Sequence, residues 1–337
     1  MTEPNVTFAN TTLEAAPDDG TAGEDEFWGE EYDEATAPSW CSLTSSVALH
    51  SYENGRRYHH YKQGHYPIPN DDQEQSREEM KHLWTLELLE GKYFLAPIGD
   101  HPLKIVDLGT GTGSWAIEMA EKFPGAEVIG SDLSPIQPAF SPPNLRFHVD
   151  NIEDDWAYGP GCDFVHLRHM ASLLKQPAKL LGSIFRNMRS GGWIEFQDLR
   201  PRVVSDDDTV SPDYAPNRSL DLLKQSFTQV FGFDVDFVYR LTTELEKAGF
   251  VNIRTVTYKA PLGTWPRDER MRYIGWMHRM TVMCYLESIS LRPMQSLGFS
   301  QEDIEALMEE VERHLNNNKI HSWMHFAFVY GQKPHMH

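Results

Sequence analysis

Three glycines alternate with other residues directly after an acidic side chain, in the run IVDLGTGTG of residues 105–113. Asp107 is followed by Gly109, Gly111 and Gly113, an apolar strand precedes them, and residues 114–123 have the pattern of a helix. Glycines let the backbone turn sharply and let a ligand approach it, and the helix start offers unpaired N–H groups. The run predicts a nucleotide-like ligand. Because the Asp107 carboxylate would repel a pyrophosphate, a ligand with a cationic amino group is favoured over a dinucleotide.

Acidic residues also end the next two predicted strands. Asp132 follows residues 127–131 and lies 23 positions after Gly109, where a carboxylate can accept hydrogen bonds from ribose hydroxyls. Asp150 follows residues 145–149. A single Asp after a strand is usually an ordinary cap, but three consecutive strands that end in carboxylates favour one shared binding site.

Composition limits the possible partners. With 337 residues and 40% hydrophobic content, the chain can bury one large α/β core with added helices. A net charge of −20 disfavours nucleic acid, because cations that neutralise phosphates supply most of that affinity. No leader-like N-terminus and no apolar run of about 18 residues occurs, which predicts a soluble, cytoplasmic protein with no membrane partner.

Neither a metal site nor a disulfide is predicted. Cys41, Cys162 and Cys284 lie far apart and form no C-x-x-C pair. Three histidines cluster within residues 59–65, but no carboxylate or thiolate stands at ligand spacing from them. We therefore expect these histidines to face solvent or a substrate.

The chain divides into five predicted segments. Residues 1–44 form an acidic tail in which positions 1–40 carry eleven Asp or Glu and no Lys or Arg, a composition that predicts disorder. Residues 45–100 predict an N-terminal helical cap, and residues 101–262 a Rossmann-like core. Residues 263–321 predict a helical insertion that would act as a substrate lid. Residues 322–337 hold the last core strand and the C-terminus.

Periodicity places the elements within these segments. The cap helix is predicted over residues 71–89, begins at Asp71 or Asp72, and turns Leu83, Trp84, Leu86 and Leu89 inward. Later core strands are predicted at residues 162–169, 191–199, 251–258 and 323–331, with helical residues at 178–188 and 217–249. The insertion holds a Met-rich helix at 268–291 and a second helix at 300–316.

The pattern D-x-G-x-G-x-G resembles motif I of the class I S-adenosylmethionine-dependent methyltransferases. A narrower likeness covers roughly residues 45–334 and points to the LaeA-like methyltransferases of filamentous fungi. It rests on ENGRRYHHY and YPIPND within residues 53–71, LSPIQPAFSPPNLRFHVDNIEDDW at 133–156, HLRHM at 166–170 and PLGTWPRD at 261–268. The resemblance implies an α/β, Rossmann-like sheet of seven strands that binds S-adenosylmethionine beyond the strands' carboxyl ends.

The resemblance also implies roles for individual residues at the cofactor. The Asp150 carboxylate would accept the adenine amine, and Ile152 would pack on the adenine ring. The full implied set of cofactor-binding residues is Tyr58, Tyr66, Asp107, Gly109, Thr110, Gly111, Gly113, Asp132, Leu133, Asp150, Asn151, Ile152 and Arg168.

Catalytic residues are sought at the same edge of the sheet, since methyl transfer is an in-line displacement that mainly needs orientation. His169, after strand four, is the first candidate for a general base or an acceptor-orienting group, with a structural histidine as the alternative. His278 on the insertion is the second candidate. Asp198, after strand five, also lies near the expected methyl position. Acceptor contacts are predicted for His59, Gln197, Trp265 and Met277.

Three functions remain open at this point. One is O- or N-methylation of a small fungal secondary metabolite. The second is a LaeA-like nuclear regulator that acts through protein partners, such as a velvet-type protein. The third is a methyltransferase fold that catalyses a non-methylating step such as cyclisation. N-methylation of nucleic acid is excluded by charge and by HLRHM at 166–170, which lacks the Asp/Asn-Pro-Pro-aromatic motif.

Overall fold

The computed structural model describes residues 6–10, 12–16, 50–53, 56–59 and 68–335. In chain order, the elements are β1 (Val6–Phe8), β2 (His50–Glu53), β3 (Arg56–His59), α1 (Asp72–Leu88), β4 (Lys104–Leu108), α2 (Ser114–Lys122), β5 (Glu127–Asp132), β6 (Leu145–Val149), β7 (Cys162–Arg168), α3 (Pro177–Asn187), β8 (Met188–Val204), α4 (Ala215–Ser226), α5 (Phe237–Lys247), β9 (Val251–Pro261), α6 (Glu269–Ser296), α7 (Gln301–Leu315) and β10 (Trp323–Gln332). Within these described ranges, no helix combines the length and the apolar character needed to cross a membrane.

A mostly parallel sheet organises the molecule, in the order β1-β9-β10-β8-β7-β4-β5-β6. Only β10 runs antiparallel to its neighbours, β8 and β9. Ile105 packs with α2 on one face of the sheet, whereas the next residue, Val106, packs with α3 and α5 on the other. The parallel strands β4 to β7 therefore present their carboxyl ends along one edge, where ligands bind in open α/β sheets. The class I fold expected from the sequence is confirmed, with β1 as an eighth strand.

The N-terminal segment differs from the expectation of disorder across residues 1–44. Val6–Phe8 pairs in parallel with β9, and the Asn10 side chain bonds both backbone groups of Lys259, at 3.0 and 2.7 Å. Ala15 forms a bridge with Pro266 at the start of the insertion. The open edge of β9 supplies unpaired backbone groups, which an acidic but locally β-prone segment can satisfy. Residues 17–44 lie outside the described residues.

The cap helix α1 begins after Asp71, whose carboxylate accepts the Glu74 backbone N–H at 3.0 Å. Its inward face differs from the prediction, because the Leu83 side chain is 43% exposed while Trp84 and Leu88 are buried. Trp84 packs between His278 and Phe326, which couples α1 to both α6 and β10. The burial of the large Trp84 ring therefore sets the orientation of α1 about its own axis, so that Leu83 faces outward.

The insertion packs directly on this cap. The first helix, α6, extends to Ser296, five residues beyond the predicted end, and a capping box of Ser300 and Asp303 starts α7. The predicted helical stretch 217–249 is broken after a π-helical turn at Phe227–Phe231 by Gly232, whose φ is +75°. The cap and the insertion thus form one layer beside the strand ends.

Candidate active site

The glycine turn after β4 leaves open space at Gly111. A Cβ added there would meet no described atom within 4 Å, and the Gly111 φ is +58°. At Gly113, in contrast, a Cβ would lie 2.6 Å from the Phe147 ring. Gly111 therefore leaves room for a ligand, whereas Gly113, predicted to bind the cofactor, serves the packing of the turn and is absent from the walls of the cavities described below.

The Asp107 carboxylate stabilises the glycine turn through hydrogen bonds. It accepts hydrogen bonds from the Thr110 hydroxyl at 2.6 Å and from the His166 Nδ1 at 2.8 Å, and its side chain is almost fully buried. The His166 ring stacks on Trp115 with 3.7 Å between ring centroids, and burial lowers the pKa of His166. Because both of its carboxylate oxygens accept hydrogen bonds, Asp107 holds the turn in place. Asp107 also lines a small polar cavity.

Asp132, at the end of β5, closes the turn from the other side. Its Oδ2 accepts the Gly111 backbone N–H and its Oδ1 accepts the Ser134 backbone N–H, both at 2.9 Å. Burial raises the pKa of Asp132 to about 6, although the two backbone hydrogen bonds stabilise the charged form and lower the pKa. The side chain reaches two cavities, so it can hold a ligand that spans both.

Beyond Asp132 lies a cavity of about 90 Å³ at the ends of β5 and β6. The Asp150 Oδ1 accepts the Asn151 backbone N–H at 2.8 Å, and its Oδ2 accepts the Tyr158 hydroxyl at 3.2 Å. The structure brings five predicted residues together with Asp132 in the walls of this cavity: Gly109, Leu133, Asp150, Asn151 and Ile152. The shape and the acceptor groups suit a flat heterocycle with an amine.

A second, polar cavity of about 30 Å³ lies on the opposite side of the turn. Arg168, at the end of β7, donates to the His82 Nδ1 at 2.8 Å, and the His82 Nε2 lies 2.9 Å from a Glu118 carboxylate oxygen. Thr110 lies in the same walls. The guanidinium of Arg168 is thus held over the cavity, where it can bind a carboxylate.

A larger cavity of about 240 Å³, here called the large chamber, joins this region between α1, α4, α6 and the ends of β7 and β8. It shares Gly109, Gly111 and Asp132 with the smaller cavities. Its walls are mostly apolar: Ile68, Trp84, Ile136, Met170, Leu173, Leu199, Leu223, Phe227, Val235, Val282, Tyr285, Leu286 and Met324. Such a chamber fits an apolar organic molecule.

Four buried polar atoms of residues that line the large chamber have no hydrogen-bond partner among the described residues. They are the Nε2 atoms of His169 and His278, the Oδ2 of Asp198 and the indole Nε1 of Trp84. The His278 Nδ1 lies 3.0 Å from the Pro261 carbonyl, so this nitrogen carries the proton and Nε2 presents a lone pair. Burial lowers the pKa of His278 to about 4 and that of His169 well below its usual value. Both imidazoles are therefore neutral.

Asp198 and His169 complete the polar end of the large chamber. The Asp198 Oδ1 accepts the Ala171 backbone N–H at 3.0 Å, and burial raises the Asp198 pKa to about 7. His169 has a φ of +56°, an unusual conformation for a residue with a side chain, and its ring stacks on Phe326. Strained backbone of this kind is common at functional sites.

Four ionisable residues of α1, here called the charged row, also line the large chamber: Glu74, Arg77, Glu78 and Lys81. Arg77 donates to Glu74 at 2.7 Å and contacts Glu78, and the Lys81 Nζ lies 2.6 Å from Glu78. These four residues were not predicted as site residues from the sequence. Their i, i+3, i+4, i+7 spacing places all four on one face of the helix. This spacing is visible in the sequence and could have identified the row.

Several predicted acceptor contacts lie elsewhere. The Gln197 Nε2 donates to the Tyr93 carbonyl and to Glu195, and Gln197 does not line the large chamber. Trp265 is a core residue whose indole N–H donates to the Ser322 carbonyl at 2.9 Å. Met277 packs in the hydrophobic contact between α1 and α6. None of these three residues is among those that line the large chamber, so the structure does not bring them to the expected acceptor position.

The remaining predicted residues come from the segment before the cap helix. Tyr58 is buried in β3 and does not line the three cavities. Tyr66 lies outside the described residues, as does the side chain of His59.

Comparison with known proteins assigns the family. Residues 76–294, more than half of the chain, match a family model described as a methyltransferase domain. The chain is 36% identical over 302 residues to methyltransferase pytC of Aspergillus terreus, covering 89% of this chain and 93% of that protein. It is 31% identical over 332 residues to laeA of Emericella nidulans, covering 96% and 87%; that protein is named both a secondary metabolism regulator and a protein-methionine methyltransferase.

A solved structure is also similar, at lower identity. Phosphoethanolamine N-methyltransferase 2 of Haemonchus contortus, in complex with S-adenosyl-L-methionine, has a TM-score of 0.43 and 17% identity, covering 74% of this chain and 53% of that chain. The family match and the two fungal relatives are decisive. The chain belongs to the methyltransferase family.

Proposed function

We propose that the chain transfers a methyl group from S-adenosylmethionine to an oxygen atom of a small, mainly apolar molecule of fungal secondary metabolism. One observation supports this proposal most strongly: the large chamber is mostly apolar, adjoins the cavities around the glycine turn, and is lined by residues with four buried polar atoms that lack partners among the described residues. Buried polar groups without partners are costly, so they favour a ligand that supplies hydrogen bonds.

The residues around the turn fit the proposed cofactor. The open side of Gly111 accommodates the nucleoside, and Asp132 retains lone pairs for the ribose hydroxyls. Ile152 and Asp150 fit the adenine, and Arg168 fits the carboxylate of the amino-acid end. When bound, S-adenosylmethionine supplies an electrophilic methyl group on a sulfonium sulfur. The pattern of acceptors at one end and a guanidinium at the other matches the charge distribution of this molecule.

The chain's own contribution to methyl transfer is orientation and the exclusion of water. The lone pair of the His278 Nε2 can accept a hydrogen bond from an O–H or N–H group elsewhere on the acceptor molecule, and His169 lines the same chamber at the end of β7. The apolar walls from α4 and α6 keep the acceptor oxygen poorly hydrated, which favours attack on an electrophilic carbon. In this proposal, the cap and the insertion act together as the substrate lid.

Product analysis tests the proposal. The purified full chain is incubated with methyl-labelled S-adenosylmethionine and a metabolite extract from a strain that lacks the gene, and labelled products are identified by mass spectrometry. We expect one labelled O-methyl product, lost in His278→Ala and retained in the exposed control His101→Ala. Labelled protein without any labelled small molecule would contradict a small-molecule acceptor.

Similarity to laeA favours a second candidate, a nuclear regulator that acts through protein partners. In that case a velvet-type protein should copurify with the chain, and a tagged chain should accumulate in nuclei. The small-molecule function instead expects cytoplasmic signal and full activity without a protein partner.

A further inference from the structure

The large chamber is lined by two weak bases and by four cationic side chains, one of which is Lys81. The other three are each bonded to another side chain: Arg77 to Glu74, Arg168 to His82 and Lys224 to Asp236. His169 and His278 are neutral and buried, so neither retains a proton taken from an ordinary alcohol. Lys81 extends from α1 into the same chamber, with a side chain that is 13% exposed. A methyl acceptor in this chamber must therefore lose its proton by another route than the two imidazoles.

Lys81 has spare hydrogen-bonding capacity. Its ammonium carries three N–H donors, and the only acceptor described for it is the Glu78 carboxylate at 2.6 Å. Glu78 is shared, because Arg77 also contacts it. Burial lowers the pKa of Lys81 to about 8 despite the attraction of Glu78, as expected for an ammonium whose charge is incompletely balanced.

The ionisable groups on the other side of the chamber do not neutralise the positive charge of the Lys81 ammonium. From the strand ends, Asp198, His169 and Arg168 line the same chamber, and Arg168 is already bonded to His82. Asp198 is about half protonated near neutral pH, and His169 is neutral. An anionic oxygen placed between Lys81 and the strand ends would gain a charge-assisted hydrogen bond and would balance the ammonium.

We propose that Lys81 is the counter-ion of the methyl acceptor, and that the acceptor is an acidic hydroxyl compound, a phenol, enol or carboxylic acid, which binds as its anion. This proposal rests on the proposed function and specifies its substrate class. The acceptor proton leaves to solvent before transfer; the oxygen lone pair then forms the new C–O bond as the C–S bond to the methyl carbon breaks. A protonated amine would be repelled by Lys81.

The probe is 4-nitrophenol, whose yellow phenolate is distinguished by absorbance from the neutral phenol. The full chain is saturated with S-adenosylhomocysteine at a slightly acidic pH where most free dye is protonated. We expect the wild type to bind the dye and increase the phenolate absorbance, and not to bind 4-nitroanisole, which has no acidic proton. Displacement of the dye by benzoate but not by benzamide would extend the class to carboxylic acids; displacement by neither would restrict it to phenols and enols.

Variants assign the effect to Lys81. Lys81→Met should weaken phenolate binding about 10- to 100-fold, as expected for loss of a hydrogen bond to a charged group, whereas Lys81→Arg should retain most of it. The matched control is Lys247→Met on α5, because Lys247 is exposed, pairs with Glu244 at 2.7 Å and does not line the large chamber. Calorimetry with S-adenosylhomocysteine verifies that each variant is folded.

Two results would overturn the proposal: no phenolate signal with the wild type, or an unchanged signal in folded Lys81→Met. A labelled product methylated at nitrogen or carbon would also overturn it while leaving methyl transfer to a small molecule intact. In contrast, failure of the wild type to bind S-adenosylhomocysteine, or to label any small molecule, would refute the proposed function itself.

Discussion

Asp132→Asn should weaken the binding of S-adenosylhomocysteine about 10- to 100-fold at pH 7.5. A carboxylate offers about four lone-pair sites, and the backbone N–H groups of Gly111 and Ser134 occupy two of them, at 2.9 Å each. Two sites remain for the ribose hydroxyls. The Asn side chain loses the charge and turns an N–H₂ group toward one backbone N–H. Hydrogen bonds to a charged group contribute about 1.5–3 kcal/mol each, which gives the stated range if one is lost.

Calorimetric titration of the purified variant measures this loss, and its pH dependence gives a second readout. Burial raises the pKa of Asp132 to about 6, so the wild-type carboxyl becomes protonated as the pH falls through about 6. The wild-type affinity should therefore fall over this interval, whereas the Asp132→Asn affinity should stay nearly constant.

Gln137→Ala is the matched control, because the Gln137 Nε2 donates to the Gly111 carbonyl at 2.7 Å and braces the same turn without facing the cavities. It should change affinity much less than Asp132→Asn. Equal losses in the two variants would mean that loop loosening explains the effect, and wild-type affinity in folded Asp132→Asn would refute the assignment of Asp132 to the ribose.

Three further predictions concern stability and the chamber walls. Deleting residues 1–16 should lower the Tm by several degrees because β1 leaves the edge of β9, whereas deleting residues 1–5 should not; identical Tm values would exclude a stabilising role for β1. For Asp198, the folded pKa of about 7 lies above the usual value of about 3.9, so the stability that this group contributes is fully present below about pH 4 and is lost as the pH rises through about 7. Asp198→Asn should thus gain up to roughly 4 kcal/mol over the wild type above pH 7, and parallel curves of Tm against pH would argue against this. Met277→Ala should cost about 2–5 kcal/mol of unfolding free energy without changing 4-nitrophenol binding, and Val282→Ala should do the reverse; a swapped outcome would contradict the assigned faces.

The sequence by itself determined the features that depend on neighbouring residues. The glycine turn, the acidic strand ends at Asp132 and Asp150, and the helix start at Asp71 follow from short-range backbone geometry, and all are present in the structure. The capping box of Ser300 and Asp303 was predictable for the same reason. Each of these requires only a few consecutive residues, so one sequence is enough to predict it.

Only the tertiary structure decided which of two adjacent side chains reaches the site. Gln197 and Asp198 are consecutive in β8, and because side chains alternate between the faces of a strand, only one of them can face the large chamber. Met277 and His278 differ by 100° around α6, and the packing against Trp84 selects the rotation. The strand β1 depends on β9, some 250 positions away, whose open edge exists only once the sheet has formed. Local pattern determines the elements, and long-range packing determines the direction in which each of them points.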